Sequence, residues 1–558
     1  MTDPQPTTRQ LPRTRWISAV LVVLAVAPFI ATLAFGFVYD DTTIVRGNPQ
    51  IRGWSSLRTL WTQPYWGPDG GNLSGLYRPV YTVLISTLWN STNHMPIWFH
   101  LFIVALHAAA AVLVFRLLIR GVSAGAAAVA AAWFAVHPIH VEAIASIANG
   151  SEIVVTLLTG LLALLLARTA ADDRESTWGS AALAGIVYLA ACMTKESGLV
   201  APAVAACFAW GWRPAASTSL GIADALRRWR RVIIACGISL AAVIVVRIAV
   251  LGAFVPATIA APGLDELTFT QRVWAMLSLG PLIGRLLLWP TELNPHYGPS
   301  YIAGRSGPTL AAALTGTIII VAIVLAIRRA RHGDRRPFAA LAWMLIAFLP
   351  ASNLLSATGQ ILAERTLYGA SVGAAMLIAL LADAAISRES ARTARASFRN
   401  RALVGVAASL VIGMLALQTW RNVRPWRTHT ALFHQMIVVD SASYRGHWLL
   451  GLDARSRGDT VAALERLGKA YALYPRDRQL LIDYSETLMQ HGLPRDAATV
   501  ARGLMDWPQL RSRPEAVALY LNAVERGYGR DSALAAGQRI RAGLPDGAPI
   551  RRTETPQP

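Results

Sequence analysis

Two neighbouring aspartates, Asp40 and Asp41, follow Tyr39 at the end of the chain's first long apolar run. A carboxylate held there, partly out of water, has its pKa raised towards that of a useful general base. The same pair could instead cap the next segment or mark a membrane interface. A second set is His137-Pro-Ile-His140-Val-Glu142, followed by Asn149-Gly-Ser-Glu152. Three apart on a helix, His137 and His140 would share a face, and a carboxylate would complete a two-His-one-carboxylate metal site. Pro138 interrupts that spacing, so a polar site wall or plain packing are the alternatives. The third set is Lys195-Glu196, lying between two apolar runs. It reads as a buried ion pair or interfacial anchor, or as a phosphate holder together with Arg78 in Tyr77-Arg78-Pro79 and Arg365 in Ala363-Glu364-Arg365. An acid to deprotonate a hydroxyl and cations to stabilise a departing phosphate oxygen are the parts needed for transfer from a lipid-linked phosphate.

These residues must be positioned by membrane helices. The 558 residues are 54% hydrophobic and 15% charged, too apolar for an ordinary soluble enzyme. That excludes a disordered protein and a disulfide scaffold. The net charge of +20 is broken up by apolar runs, which argues against a nucleic-acid binder. Cys192, Cys207 and Cys236 all lie inside apolar stretches and read as small core residues. Of 52 basic residues only Lys195 and Lys469 are lysine.

Runs of spanning character lie at 17–37, 97–119, 122–137, 151–168, 178–194, 197–212, 232–251, 308–327, 338–355, 367–386 and 403–419. The first, after Arg9, Arg13 and Arg15, is read as an uncleaved span rather than a signal peptide. Clusters at Arg116/Arg120, Arg168/Arg174, Arg227 to Arg231, Arg328 to Arg336 and Arg388 to Arg401 should all be cytoplasmic. This holds if 232–251 and 308–327 span and 273–289, with Gly280-Pro281 in its middle, is a broken interfacial or re-entrant segment. Eleven spans follow, with the N-terminus cytoplasmic and the C-terminus outside. All three sets then share the outer side with a first loop, 38–96, far longer than a connection requires.

After Arg421 charges become frequent and apolar residues recur at helical spacing. Residues 444–477 form a 34-residue unit with Gly451, Ala463, Ala470 and Pro475 where a tetratricopeptide repeat needs small residues and a terminator. A second unit, 478–511, keeps Ala497, and a third, 512–545, is degenerate. Such units stack and expose a concave face suited to peptides; a small helical cap without a ligand is the plainer reading. Beyond Gly547 the chain is polar and Pro-rich, with the composition of a disordered tail.

The chain resembles the transmembrane and tetratricopeptide repeat-containing O-mannosyltransferases and their bacterial relatives, within the GT-C glycosyltransferase class. The matching strings are Phe37-Val-Tyr-Asp-Asp41, Asn48-Pro49, Tyr65-Trp-Gly67, Tyr77-Arg-Pro79, Trp98-Phe-His100 leading to Leu106-His107, and Phe134-Ala-Val-His-Pro-Ile-His-Val-Glu-Ala143. Thr194-Lys-Glu-Ser-Gly198, Arg285-Leu-Leu-Leu-Trp-Pro290 and Ala363-Glu-Arg-Thr-Leu-Tyr368 follow, in family order over roughly 37–375.

The resemblance implies an all-α, GT-C-like membrane domain over 1–420, an extracytoplasmic repeat domain over 421–546 and a tail over 547–558. It implies an inverting enzyme that moves a sugar, mannose in the family, from a polyprenyl-phosphate carrier to a Ser or Thr hydroxyl of a protein. Asp40 or Asp41 would be the base. Arg78, Lys195 and Arg365 would bind the carrier phosphate, while His137, His140, Glu142, Glu152, Glu196 and Glu364 would line the sugar or acceptor pocket. No metal or other cofactor is expected; the partners are the lipid carrier and an acceptor protein or peptide, not nucleic acid. The chain departs from the animal pattern in having few repeats. Its arginine bias points to a high-GC bacterium and its cytoplasmic membrane. The alternative is a membrane-anchored repeat scaffold that recruits extracytoplasmic partners without catalysis.

Overall fold

The computed structural model describes residues 10–66, 75–171, 175–213, 221–254, 260–390, 394–511 and 513–542, and these contain helices and no extended sheet. The tail after Gly547 and the side chains of the Arg388 to Arg401 series lie outside the described residues. Two compact units result: Met1–Pro295 with Ile302–Thr428, and His296–Tyr301 with His429–Pro558.

In the first unit α1 (Gln10–Val26) tightens into a 3-10 turn at Ala27–Ala34, where Pro28 cannot donate to the α-helical ladder. The long first loop follows, then α2 (Pro79–Ser91), α3 (Pro96–Leu118) and α4 (Ala124–Val136). Ser123 caps α4 by accepting the Ala126 N–H at 3.4 Å. His137 precedes a proline and is extended (φ −71°, ψ 129°), as the ring of Pro138 requires. The chain resumes as α5 (Val141–Ala145), and the pair is bent by 48°.

Next come α6 (Ser151–Ala171), α7 (Trp178–Thr194), α8 (Ala201–Gly211) and α9 (Ile222–Leu251), which Gly252 ends in the left-handed region (φ 78°). A break at Leu279, just before Gly280-Pro281, separates α10 (Phe269–Ser278) from α11 (Gly280–Leu288), beside the pair that suits a broken helix. The unit closes with α12 (Leu310–Arg331), α13 (Arg336–Phe348), α14 (Leu367–Ser390) and α15 (Ala394–Val423).

Helix α6 is the hub, with α3, α7, α8 and α14 packed on it and 72% of its apolar window buried. Small residues set the spacing: a Cβ on Gly160 would stand 2.7 Å from Leu113 of α3, and one on Gly373 2.6 Å from the Met344 nitrogen of α13. By contrast only 11% of the α12 window is buried, and Ile318, Ile320 and Val321 are exposed along it. Such apolar surface belongs in lipid.

Six helices are long and apolar enough to cross a membrane, and they coincide with the expected runs at 17–37, 97–119, 151–168, 232–251, 308–327 and 367–386. The 122–137 run is half of the bent α4–α5 pair. The 178–194 and 338–355 runs form shorter apolar helices, Trp178–Thr194 and Arg336–Ala351, and 403–419 lies inside α15. The 197–212 run is cut by a 3-10 turn at Glu196–Val200. A polytopic helical protein is therefore what the chain builds, and by length and composition six or seven helices among the described residues can span.

The second unit is a helical succession: α16 (His429–Val439), α17 (Tyr444–Ser456), α18 (Thr460–Leu473), α19 (Arg478–Gln490), α20 (Pro494–Arg502), α21 (Pro514–Tyr528) and α22 (Arg530–Arg541), each packed on the next. The small residues singled out above sit at helix contacts. A Cβ on Gly451 would lie 2.8 Å from Leu467, and Ala463, Ala470 and Ala497 are fully buried. Segment His296–Tyr301 belongs to this unit, with Ser300 donating to Asp440 at 2.7 Å.

Candidate active site

The first loop enters the site through a strained turn. Tyr39 has φ +58°, a conformation that β-carbon sterics disfavour, and it delivers Asp40 and Asp41 in opposite environments. Asp41 is fully buried. Its carboxylate accepts from Ser146 Oγ (3.1 Å) and from the backbone N–H groups of Ile147 (3.1 Å) and Ala148 (2.8 Å). Burial pushes its pKa up to about 7, against the pull of those amides. Asp40 is half-buried, and its charge is felt at Glu142 and Arg365.

The 146–150 turn that receives Asp41 is held from the far side. Tyr81 of α2 donates to the Ile147 carbonyl, and Tyr65 donates to that of Ala148 at 3.3 Å. Gly150 permits this packing, because a Cβ there would come within 2.5 Å of the Tyr81 hydroxyl.

Each expected cation is paired with a glutamate. Arg78 donates through Nε and Nη2 to Glu196 Oε2 (3.0 and 2.8 Å), with its guanidinium 5.0 Å over the Tyr65 ring. Lys195 Nζ is 2.9 Å from Glu152 Oε1. Arg365 gives Glu142 both its backbone N–H, at 2.9 Å, and its guanidinium. The pairs are neighbours, since Lys195 lies in the field of Arg78 and Arg365, and Arg365 in that of Glu152 and Asp40. Burial lowers the Lys195 pKa, with Glu152 opposing. At Glu196 burial works upward, but Arg78 overrides it and holds the carboxyl below its ordinary range.

A glycine again makes the placement possible. Lys195 is extended (φ −162°) after α7, and the following 3-10 turn lies so close to α7 that a Cβ on Gly198 would be 2.4 Å from the Ala191 carbonyl. Beside Glu152 a narrow crevice opens, bordered by Thr156, Ser197, Val204, Trp343 and Thr366.

The remaining expected residues sit elsewhere. His137 and His140 are fully buried, and His140 shares hydrogen bonding with Ser371 Oγ at 2.9 Å. His140 packs against Phe134, His107 and Tyr368, so the two histidines back the Glu142 segment and neither ring reaches an open surface. Glu364 is committed to the backbone N–H of Asn294 at 2.7 Å. Among the described residues no group of three His, Cys, Asp or Glu side chains is placed to hold a metal ion; Glu142, which could have joined the histidines, is taken by Arg365.

One charged member was not foreseen. Arg247 of α9 is 3.6 Å from Glu196 Oε1. Its signal was in the sequence: a single arginine inside Val243-Ile-Val-Val-Arg247-Ile-Ala-Val, where an unneeded charge is costly.

No family model matches the chain. It is 26% identical to a Drosophila melanogaster protein named Protein O-mannosyl-transferase Tmtc1, over 78% of this chain and 59% of that one. It is 24% identical to Caenorhabditis elegans Protein O-mannosyl-transferase F38B6.6 over 82% of this chain and 63% of the other. Human Protein O-mannosyl-transferase TMTC3 is 24% identical over 75% of this chain and 47% of its own length. The chain thus spans about half to three fifths of the length of these curated relatives. Across most of its own length the chain is similar to proteins that are named protein O-mannosyl-transferases.

Proposed function

We propose that the chain is a GT-C glycosyltransferase that moves mannose from a polyprenyl-phosphate carrier to a Ser or Thr hydroxyl of a protein, with inversion. The observation that carries this reading is the gathering of Asp40, Arg78, Lys195 and Arg365 into one half-buried to buried charge cluster in a chain similar to named O-mannosyl-transferases.

Asp40 takes the acceptor hydroxyl proton while the acceptor oxygen bonds to the sugar C1 and the C1–O bond to phosphate breaks. The electron pair leaves on the carrier phosphate, whose added negative charge falls to Arg78, Lys195 and Arg365. Asp41 is the anchor: its oxygens already serve Ser146, Ile147 and Ala148. Glu142, Glu152 and Glu196 hold the cations in place until the phosphate arrives, keeping them paired in a dry site. The cluster faces the extracytoplasmic side, and the second unit is a tetratricopeptide-type domain that binds the acceptor.

The experiment is transfer of mannose from a polyprenyl-phosphate mannose to acceptor peptides by the purified protein, beside Asp40→Asn, Asp41→Asn and the double variant. Wild-type transfer abolished by Asp40→Asn supports the reading; full transfer by all three variants overturns the base.

A further inference from the structure

We infer that Arg247 is a positioning residue for the phosphate side of the site, acting through Glu196 on Arg78; this rests on the transferase reading above. Arg247 lies five residues before the Gly252 that ends α9, and it is 7% exposed. A buried arginine in an apolar helix is tolerated when its donors are used, and here they reach three separate segments. Nε donates to the Phe254 carbonyl at 3.2 Å, just past the helix end. Nη2 donates to the Gly75 carbonyl at 3.2 Å. Nη1 faces Glu196 Oε1 at 3.6 Å.

The last two contacts meet at the same cation. Gly75 lies three residues before Arg78, in the stretch where Tyr77 donates to the Trp61 carbonyl at 2.6 Å. Glu196 uses its other oxygen, Oε2, to take both Nε and Nη2 of Arg78. One guanidinium therefore fixes both the main chain that carries Arg78 and the carboxylate that aims it. The planar fork is what permits this, and a lysine, with one point of charge, cannot hold Glu196 and two carbonyls at such separate angles. When phosphate draws Arg78 away, Glu196 still has Arg247 beside its Oε1 and is not left as an unpaired buried carboxylate.

The test uses the full-length purified protein with polyprenyl-phosphate mannose and an acceptor peptide, comparing wild type, Arg78→Ala, Arg247→Lys and Arg247→Met. Hydrogen–deuterium exchange over residues 76–82 is read in parallel. For Arg247→Met the donor KM rises about ten-fold or more, kcat falls less than about three-fold and the acceptor KM is unchanged. Exchange over 76–82 quickens, and Arg247→Lys falls between Arg247→Met and wild type in both readouts. A donor KM raised by Arg78→Ala but untouched by Arg247→Met overturns the inference. So does a parallel loss of kcat, both KM values and thermal stability, which marks a merely structural arginine. If wild type itself transfers no mannose, the transferase reading fails first; unchanged exchange over 76–82 in Arg247→Met then overturns the tether independently.

Discussion

Asp41 and Ala148, 107 residues apart in the chain, are joined by a 2.8 Å hydrogen bond from the Ala148 N–H to Asp41 Oδ1. With the Ile147 N–H on Oδ2, this bond ties the first loop to the turn between α5 and α6. Asp41→Ala strands two buried amides, each costing about 1–3 kcal/mol, and lowers the melting temperature in detergent by several degrees. The same carboxyl makes stability depend on pH. Its folded pKa, raised from 3.8 to about 7, means that between those values the folded protein holds a proton the unfolded chain has released. The contribution is full below about pH 4 and is lost as pH rises to about 7. Melting curves from pH 4 to 8 show this decline in wild type and a flatter profile in Asp41→Asn; equal slopes would contradict it.

Asp40→Asn separates chemistry from architecture. Because Asp40 is half-buried and Asp41 holds the loop, the variant keeps the wild-type melting temperature within about a degree while transfer falls about 10²- to 10⁴-fold, the range of a lost general base. A large stability loss would instead make Asp40 a second anchor.

Glu142→Ala leaves Arg365 charged and buried, with Glu142 itself 1% exposed in the native pair. Removing one partner of such a pair costs about 3–5 kcal/mol, a loss that thermal or denaturant unfolding will register. Arg365→Met paired with Glu142→Leu removes both charges and recovers much of that stability, without recovering transfer.

Gly198→Ala tests how Lys195 and Glu196 are aimed. The new methyl group meets the Ala191 backbone at 2.4 Å, and backbone cannot yield as a side-chain tip would. The turn moves outward, at about 1–3 kcal/mol of overpacking, and the donor KM rises. Wild-type kinetics in a stable Gly198→Ala protein would show that the turn does not aim the pair.

Much of this arrangement was legible in advance because charges in apolar runs are rare and each needs a reason. Lys195, Arg78 and Arg365 could be singled out by type, and the bend at Pro138 and the break beside Gly280-Pro281 follow from proline's missing N–H. What composition could not give was partnership. Nothing local tells that Arg365 will meet Glu142 while its sequence neighbour Glu364 turns to Asn294, since both choices depend on how α5 and α14 pack. The difference between Asp40 and Asp41 was hidden for the same reason: it is decided by a turn more than a hundred residues away. Arg247 was overlooked because a window average over α9 conceals one charge. Hydropathy also merged the Glu196–Val200 turn with the helix that follows it, since a short turn barely alters the average.

The pairing of Arg78, Lys195 and Arg365 with Glu196, Glu152 and Glu142 has a consequence for how a donor arrives. Opposite charges so close cancel beyond a few ångströms, so the paired cluster casts little field into the surrounding water and does not draw anions from a distance. For the lipid-linked donor proposed above, encounter would then be governed by diffusion within the two-dimensional sheet, and ionic strength should leave the capture rate nearly flat.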